Sequence, residues 1–252
     1  MDNQQVRLNK FLAERIGVSR READELIAAG RVFVDDKPAM LGARIDKNAK
    51  VCYNGNMIPF ETGYSYIAMN KPIGYVCSRR AQGPSPTIYD ILPKEYRHLK
   101  TVGRLDKDSS GLILLTNDGD FAYQMTHPKF RKTKVYEVAL DRPLEPLHQQ
   151  MISDYGVMLD DGPSRFMVIK TTETSLEGLR TSAPRPWRRA EATRPERDAS
   201  QSYLVTLSEG RNRQIRRTFA ALGYKVVKLH RIAFGKYELS GLEPGKCAII
   251  KP

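Results

Sequence analysis

Residues 112–115, Leu-Ile-Leu-Leu, are an unbroken apolar run that reads as a buried strand, and the residues leading into it cannot belong to the same element. Asp106-Lys107-Asp108-Ser109-Ser110-Gly111 is a succession of turn formers, whereas residues 100–105 before it are extended in character. The pattern is therefore strand, turn, strand, with Asp106 at a strand end, where a rigid scaffold can present a reactive group to a cleft. Two readings compete at this point. Asp106 and Asp108 can each shape the turn by bonding their own backbone in an Asx-turn, or one of them can be a reactive carboxylate set among basic neighbours.

Charge narrows the classes of partner. The 252 residues carry 41 Lys plus Arg against 29 Asp plus Glu, a formal balance of +12, which suits a polyanion, although a basic excess can also serve solubility alone. Its distribution favours the first reading. Residues 1–62 hold 10 basic and 9 acidic side chains, whereas residues 205–236 hold 8 basic and 1 acidic. A localised patch of this kind is a footprint for phosphates, with affinity expected to fall as salt rises.

Several chemistries find no support. Cys52, Cys77 and Cys247 are odd in number, far apart and without a Cys-x-x-Cys pair, which predicts reduced thiols in a cytoplasmic protein and no metal. His98, His127, His148 and His230 lack ligand spacing, and no Gly-x-Gly-x-x-Gly or Walker loop appears. The start has no signal-like apolar run, and no stretch approaches the roughly 20 apolar residues of a membrane span.

Along the chain, Leu8, Phe11, Leu12 and Ile16 share one helical face, and Ser19 caps a second helix carrying Ala23, Leu26 and Ile27, with Gly17 and Gly30 ending the two. Residues 31–38 read as a strand and tight turn, and residues 50–55 as a strand ending in a hairpin Asn-Gly. Residues 59–64 resemble a linker. The remainder alternates strands at 75–78, 101–105, 112–116, 135–140, 165–170, 202–208 and 226–230 with helices near 144–154 and 212–222. This mixture predicts an α+β fold, a small αβ module over 1–62 and a larger domain over 63–252 whose sheet is mixed or antiparallel rather than doubly wound. Residues 174–200, rich in Pro and Arg, read as a mobile basic insertion, either a tolerated loop or an RNA contact through Trp187.

The motifs carry a family resemblance. Gly103-Arg104-Leu105-Asp106 followed by Ser109-Ser110-Gly111-Leu112 resembles the catalytic motif of RNA pseudouridine synthases, closest to the branch acting on small-subunit ribosomal RNA and its relatives acting on large-subunit RNA. Asn70-Lys71-Pro72-Ile73-Gly74 resembles the opening of that family's catalytic domain, Lys134-Val135-Tyr136 its aromatic motif, and residues 209–217, Glu-Gly-Arg-Asn-Arg-Gln-Ile-Arg-Arg, its basic motif. Residues 6–55 resemble the small RNA-binding module first known from a small-subunit ribosomal protein. Arg7, Lys10, Ser19, Arg20, Arg21 and Arg31 lie at its contact-bearing positions, although Glu14, Glu22, Asp24 and Glu25 would suit an ordinary solvated face.

The resemblance implies a cofactor-free isomerase acting on ribosomal RNA, in the cytoplasm and as a monomer. It assigns the reacting carboxylate to Asp106, its countercharge to Arg216, and a stacking and proton-handling role to Tyr136. A buried carboxylate stays ionised only beside a cation or donors, and Arg offers a planar fork that keeps its charge. Phosphate binding is the competing role for Arg216, and core packing for Tyr136. Arg104, Lys134, Asn212 and Arg213 complete the expected RNA contacts, with Lys71 beside them. A non-catalytic RNA-binding assembly factor on the same fold is the alternative function.

Overall fold

The computed structural model describes residues 5–60, 63–79, 83–171 and 202–252. The expected insertion at 174–200, with Trp187, lies outside them. Helices α1 (Leu8–Arg15) and α2 (Arg20–Ala28) pack Leu8, Phe11, Leu12, Ala23 and Ile27 against Val32, Ile45 and Val51. Ser19 closes a full capping box, its Oγ accepting from Glu22 N at 3.1 Å while its own N donates to Glu22 Oε2 at 2.7 Å. Strands β1 (Val6–Arg7) and β4 (Arg44–Ile45) pair beside the helices. Strands β2 (Val32–Val34), β3 (Lys37–Pro38), β5 (Val51–Tyr53) and β6 (Asn56–Ile58) form an antiparallel sheet in the order β3-β2-β5-β6. Its hairpins turn through pairs of left-handed residues, Asp35-Asp36 and Asn54-Gly55, as two-residue hairpins demand.

The second unit is built on a nine-stranded sheet. Its strands are β7 (Tyr66–Lys71), β8 (Lys100–Val102), β9 (Ser110–Thr116), β10 (Lys134–Leu140), β13 (Met167–Lys170), β14 (Ser202–Leu207), β15 (Val226–Phe234), β16 (Tyr237–Glu238) and β17 (Cys247–Ile249). The main order is β13-β14-β10-β15-β9-β7-β17, antiparallel except where β15 meets β9. A separate hairpin, β11 (Val157–Leu159) and β12 (Gly162–Ser164), stands beside it.

Both faces of β9 are covered, which is why its sequence is apolar without alternation. Ile113 and Leu115 join Ile67, Met69, Val138 and Val205 in one core, together with Ile215 and Phe219 of the last helix (Gln214–Ala221). Leu112 and Leu114 face the other way, onto Val102, Phe234 and Met125 of the helix Gly119–Thr126. With Ile88–Ile91 as α3, Pro146–Gln150 as α5 and these two as α4 (Gly119–Thr126) and α6 (Gln214–Ala221), the helices lie on both sides of the sheet.

Local details depart from the sequence pattern. Residues 75–78 form no strand: Gly74 turns the chain at φ 96°, and Val76 makes a single bridge to Thr87. The helix expected over 144–154 starts at Pro146 and widens into a π turn over Met151–Tyr155. The helix expected from Asn212 begins at Gln214, because Arg213 adopts a left-handed φ of 45°.

Gly111 makes the parallel contact possible. A Cβ there would stand 2.2 Å from the Arg231 carbonyl oxygen, at a φ of 106° that side chains rarely adopt. Gly111→Ala is therefore expected to destabilise the fold by about 2–3 kcal/mol, read as a shifted denaturation midpoint with unchanged slope.

The two units touch through α1 and α4. Lys10 Nζ reaches Asp120 Oδ1 at 2.7 Å, Lys100 Nζ donates to Ala13 O at 2.9 Å, and the Arg79 guanidinium donates to the carbonyls of Gly17, His98 and Leu99. Lys10, one of the expected RNA contacts, is thus engaged with the larger unit.

Candidate active site

The loop carrying Asp106 enters β9 at the middle of the sheet, and its shape is held from beneath. Lys71 Nζ, fully buried at the end of β7, donates to Ser109 O at 2.6 Å and Pro72 O at 3.0 Å. Burial pushes this ammonium below its ordinary pKa, opposed by Cys77, Asp106 and Asp108. Ser109 N donates to Asp106 O, Gly74 N to Lys107 O, and Leu105 N lies 3.5 Å from Cys77 Sγ. The loop is consequently a fixed platform with both carboxylates directed outward.

The carboxylates have different partners. Arg213 forms a two-pronged pair with Asp108, at 3.0 and 2.9 Å, and stands 3.7 Å from Asp106 Oδ2. Arg216 donates through Nη2 to Asp108 O and through Nη1 to Val226 O, both at 2.8 Å, and its Nε lies 3.3 Å from Asp108 Oδ2. The expected direct pair between Arg216 and Asp106 is thus replaced by a clasp on Asp108. The cause is backbone geometry. The left-handed Arg213 places the first turn of α6 over the loop, and Arg216, three residues on, meets a backbone carbonyl that anchors it at Asp108. Strained backbone of this kind persists where surrounding contacts over-determine it, here the Arg213–Asp108 fork.

The clasp has a pH signature. The hydrogen bond from Arg213, and then the Arg216 charge, hold the Asp108 carboxyl below the usual carboxylate range against an opposing effect of burial. A depressed folded-state pKa means the clasp's stabilisation is complete above the unfolded value and lost as pH falls through the folded one. Asp108→Asn should therefore flatten the acid limb of stability below about pH 4, while leaving neutral-pH cooperativity intact.

Asp106 retains an open oxygen. Its side chain is 33 % exposed, and among the described residues only Arg213, on Oδ2, stands within ion-pair distance. Tyr136 is 8 % exposed on β10, within the same core as Leu105, and its hydroxyl lies 3.5 Å from Arg231 Nη1. Arg231 is itself buried, donating Nε to Leu112 O at 2.7 Å, with its guanidinium 4.9 Å from the Phe234 ring centre. It sits on β15 between the strand of Tyr136 and the strand entered from Asp106.

The other expected residues divide by location. Arg7, Arg20, Arg21 and Arg31 are exposed on the module, Arg31 over the Tyr53 ring and bonded to Asn54. Arg104 and Asn212 are exposed beside the loop and ahead of α6. Lys134 Nζ lies 3.3 Å from Glu209 O and over Phe234, and burial lowers its pKa. Arg211 and Arg217 turn away to Asp161, bracing the β11–β12 hairpin against α6. Sequence reasoning missed Arg231 and the role of Asp108. In a strand that also carries Lys228 and His230, nothing in the pattern marks Arg231 as the buried cation, and a carboxylate's partner depends on a distant backbone angle.

A family model described as RNA pseudouridylate synthase matches residues 65–221, and an S4 domain matches residues 6–55. The chain is 35% identical over 236 residues to the ribosomal small subunit pseudouridine synthase A of Pasteurella multocida, covering 93% of this chain and 90% of that protein. It is also 35% identical over 247 residues to the ribosomal large subunit pseudouridine synthase B of Escherichia coli K12, covering 95% and 77%. A solved pseudouridylate synthase superposes with a TM-score of 0.62 at 28% identity, covering 98% of this chain and 96% of that one.

Proposed function

The chain belongs to the RNA pseudouridylate synthase family, and from that premise we propose that it isomerises one uridine of ribosomal RNA with Asp106 as the reacting carboxylate. The single observation that carries the assignment is the open oxygen of Asp106 on a loop fixed by Lys71, beside a carboxylate of the same turn that is fully engaged by arginines. The reaction breaks the bond between ribose C1′ and uracil N1, turns the base, and joins C1′ to C5, after which C5 loses its proton and N1 gains one. An ionised carboxylate near C1′ serves either by adding to that carbon or by assisting elimination. Arg213 stands 3.7 Å from one oxygen of Asp106 and leaves the other uncovered.

Tyr136 offers the ring against which the detached uracil can turn, and its hydroxyl can take part in removal of the C5 proton. Arg231 orients that hydroxyl and counters charge that builds on it. The target must leave its stack to reach Asp106, and Arg104 is exposed where its phosphate would pass. The module's Arg7, Arg20, Arg21 and Arg31 bind structured RNA nearby, and the enzyme works in the cytoplasm as a monomer without metal or cofactor. No described helix is long and apolar enough to cross a membrane.

Small-subunit RNA is the favoured substrate, with large-subunit RNA as the second reading, since relatives of both names match over nearly the whole chain. Pseudouridine mapping of both ribosomal RNAs from a strain lacking the gene, with and without the gene restored, tests this. One position should lose and regain its modification; unchanged maps would overturn the proposal.

A further inference from the structure

Helix α4 bridges the module and the reactive loop. Its first turn meets the module, through Asp120 on Lys10 and through Gly119, where a Cβ would stand 2.7 Å from Glu14 Oε1. Its last residue, Thr126, packs against Gly103, three residues before Asp106. The helix thus forms the crossing between the module and the residues leading into the loop of Asp106.

At that crossing the surface carries rings with no apolar cover. Tyr123 is 45 % exposed and Phe130 is 38 % exposed, their rings 5.8 Å apart and perpendicular, with the His127 ring 4.7 Å from Tyr123. Lys129 Nζ stands 5.1 Å from the first ring and 4.7 Å from the second. Arg131, exposed and left-handed at φ 45°, ends this corner and turns the chain into β10, toward Lys134 and Tyr136. Tyr123 also lines the cleft between the units, together with Lys10, Arg20 and Lys100. Exposed rings among cations, on the path between two RNA-binding parts, match the chemistry of an unpaired nucleotide: a face to stack on and charges for its phosphate.

We propose that the corner formed by Tyr123, His127 and Phe130, with Lys129 and Arg131, is a stacking platform for an unpaired nucleotide flanking the target uridine. This rests on the function proposed above and adds a specificity element to it. Lys129 moves from the rings to the phosphate when the base arrives, and the rings then select unstacked RNA over duplex.

Binding of the full chain to a short single-stranded RNA, and to the same sequence as a blunt duplex, tests the platform at fixed salt. Tyr123→Ala and Phe130→Leu should each weaken single-strand binding about tenfold, with duplex binding changed by less than about twofold and Tyr123→Phe near wild type. Phe130→Leu keeps apolar volume while removing the ring, so it reads stacking rather than folding. Unchanged single-strand affinity in both variants, or equal losses on single strand and duplex, would overturn the platform. Wild-type activity on ribosomal RNA from the deletion strain is read separately. Failure there sinks the proposed reaction while the single-strand and duplex comparison still decides the platform.

Discussion

Asp106→Ala should abolish pseudouridine formation, lowering it by at least about a thousandfold, while RNA affinity and stability stay near wild type. The separation follows from where the fold invests its charge pairs. Asp106 meets Arg213 only at 3.7 Å and is one-third exposed, so removing its carboxylate leaves the two-pronged Arg213–Asp108 pair in place. An exposed pair of this length contributes at most about 1 kcal/mol. The loop's backbone bond from Ser109 N to Asp106 O does not depend on the side chain. Tritium release from RNA labelled at uridine C5 reads the reaction directly, because that hydrogen is lost only on rearrangement. Activity within tenfold of wild type would exclude Asp106 as the reacting group.

The second large effect is expected at Arg216. Its guanidinium is 15 % exposed and bonds two backbone carbonyls, Val226 O and Asp108 O, besides its ion pair with the Asp108 carboxylate. Arg216→Met leaves both carbonyls short of a donor and holds the loop to α6 through the Arg213–Asp108 pair alone. A loss of kcat/KM of roughly a hundredfold or more is expected, since misplacement by an ångström is enough for that. Arg217→Met, which removes a pair with Asp161 far from the loop, should cost less than about threefold. Comparable losses in the two variants would mean that both arginines serve phosphates alone. Arg216→Lys should fall between, because an ammonium cannot span the two carbonyls as a planar fork does.

Legibility in the sequence followed the range of the forces involved. The capping box at Ser19 and the two-residue hairpin at Asn54-Gly55 are local chemistry and could be read from a few residues. The buried run at 112–115 announced a central strand, although the sharing of its side chains between two cores required the sheet. Which carboxylate Arg216 touches directly was not legible, because the left-handed turn at Arg213 sets which arginine reaches which carboxylate; Arg216 contacts Asp108, while the charge of Asp106 still acts on it. Arg231 was invisible for a related reason. Its position depends on β15 lying between β9 and β10, an adjacency between residues more than 90 positions apart.

The arginine clasp on Asp108 also bears on how such a chain can change over time. On the proposed assignment, the charges that hold the loop are spent on Asp108 rather than on the reacting carboxylate, so position 106 is free to vary without endangering the fold. On that assignment, a single substitution at Asp106 would turn the enzyme into an RNA-binding protein of the same shape. Catalyst and ribosome-assembly factor are therefore neighbours in sequence space, separated by one carboxylate rather than by a redesign of the site.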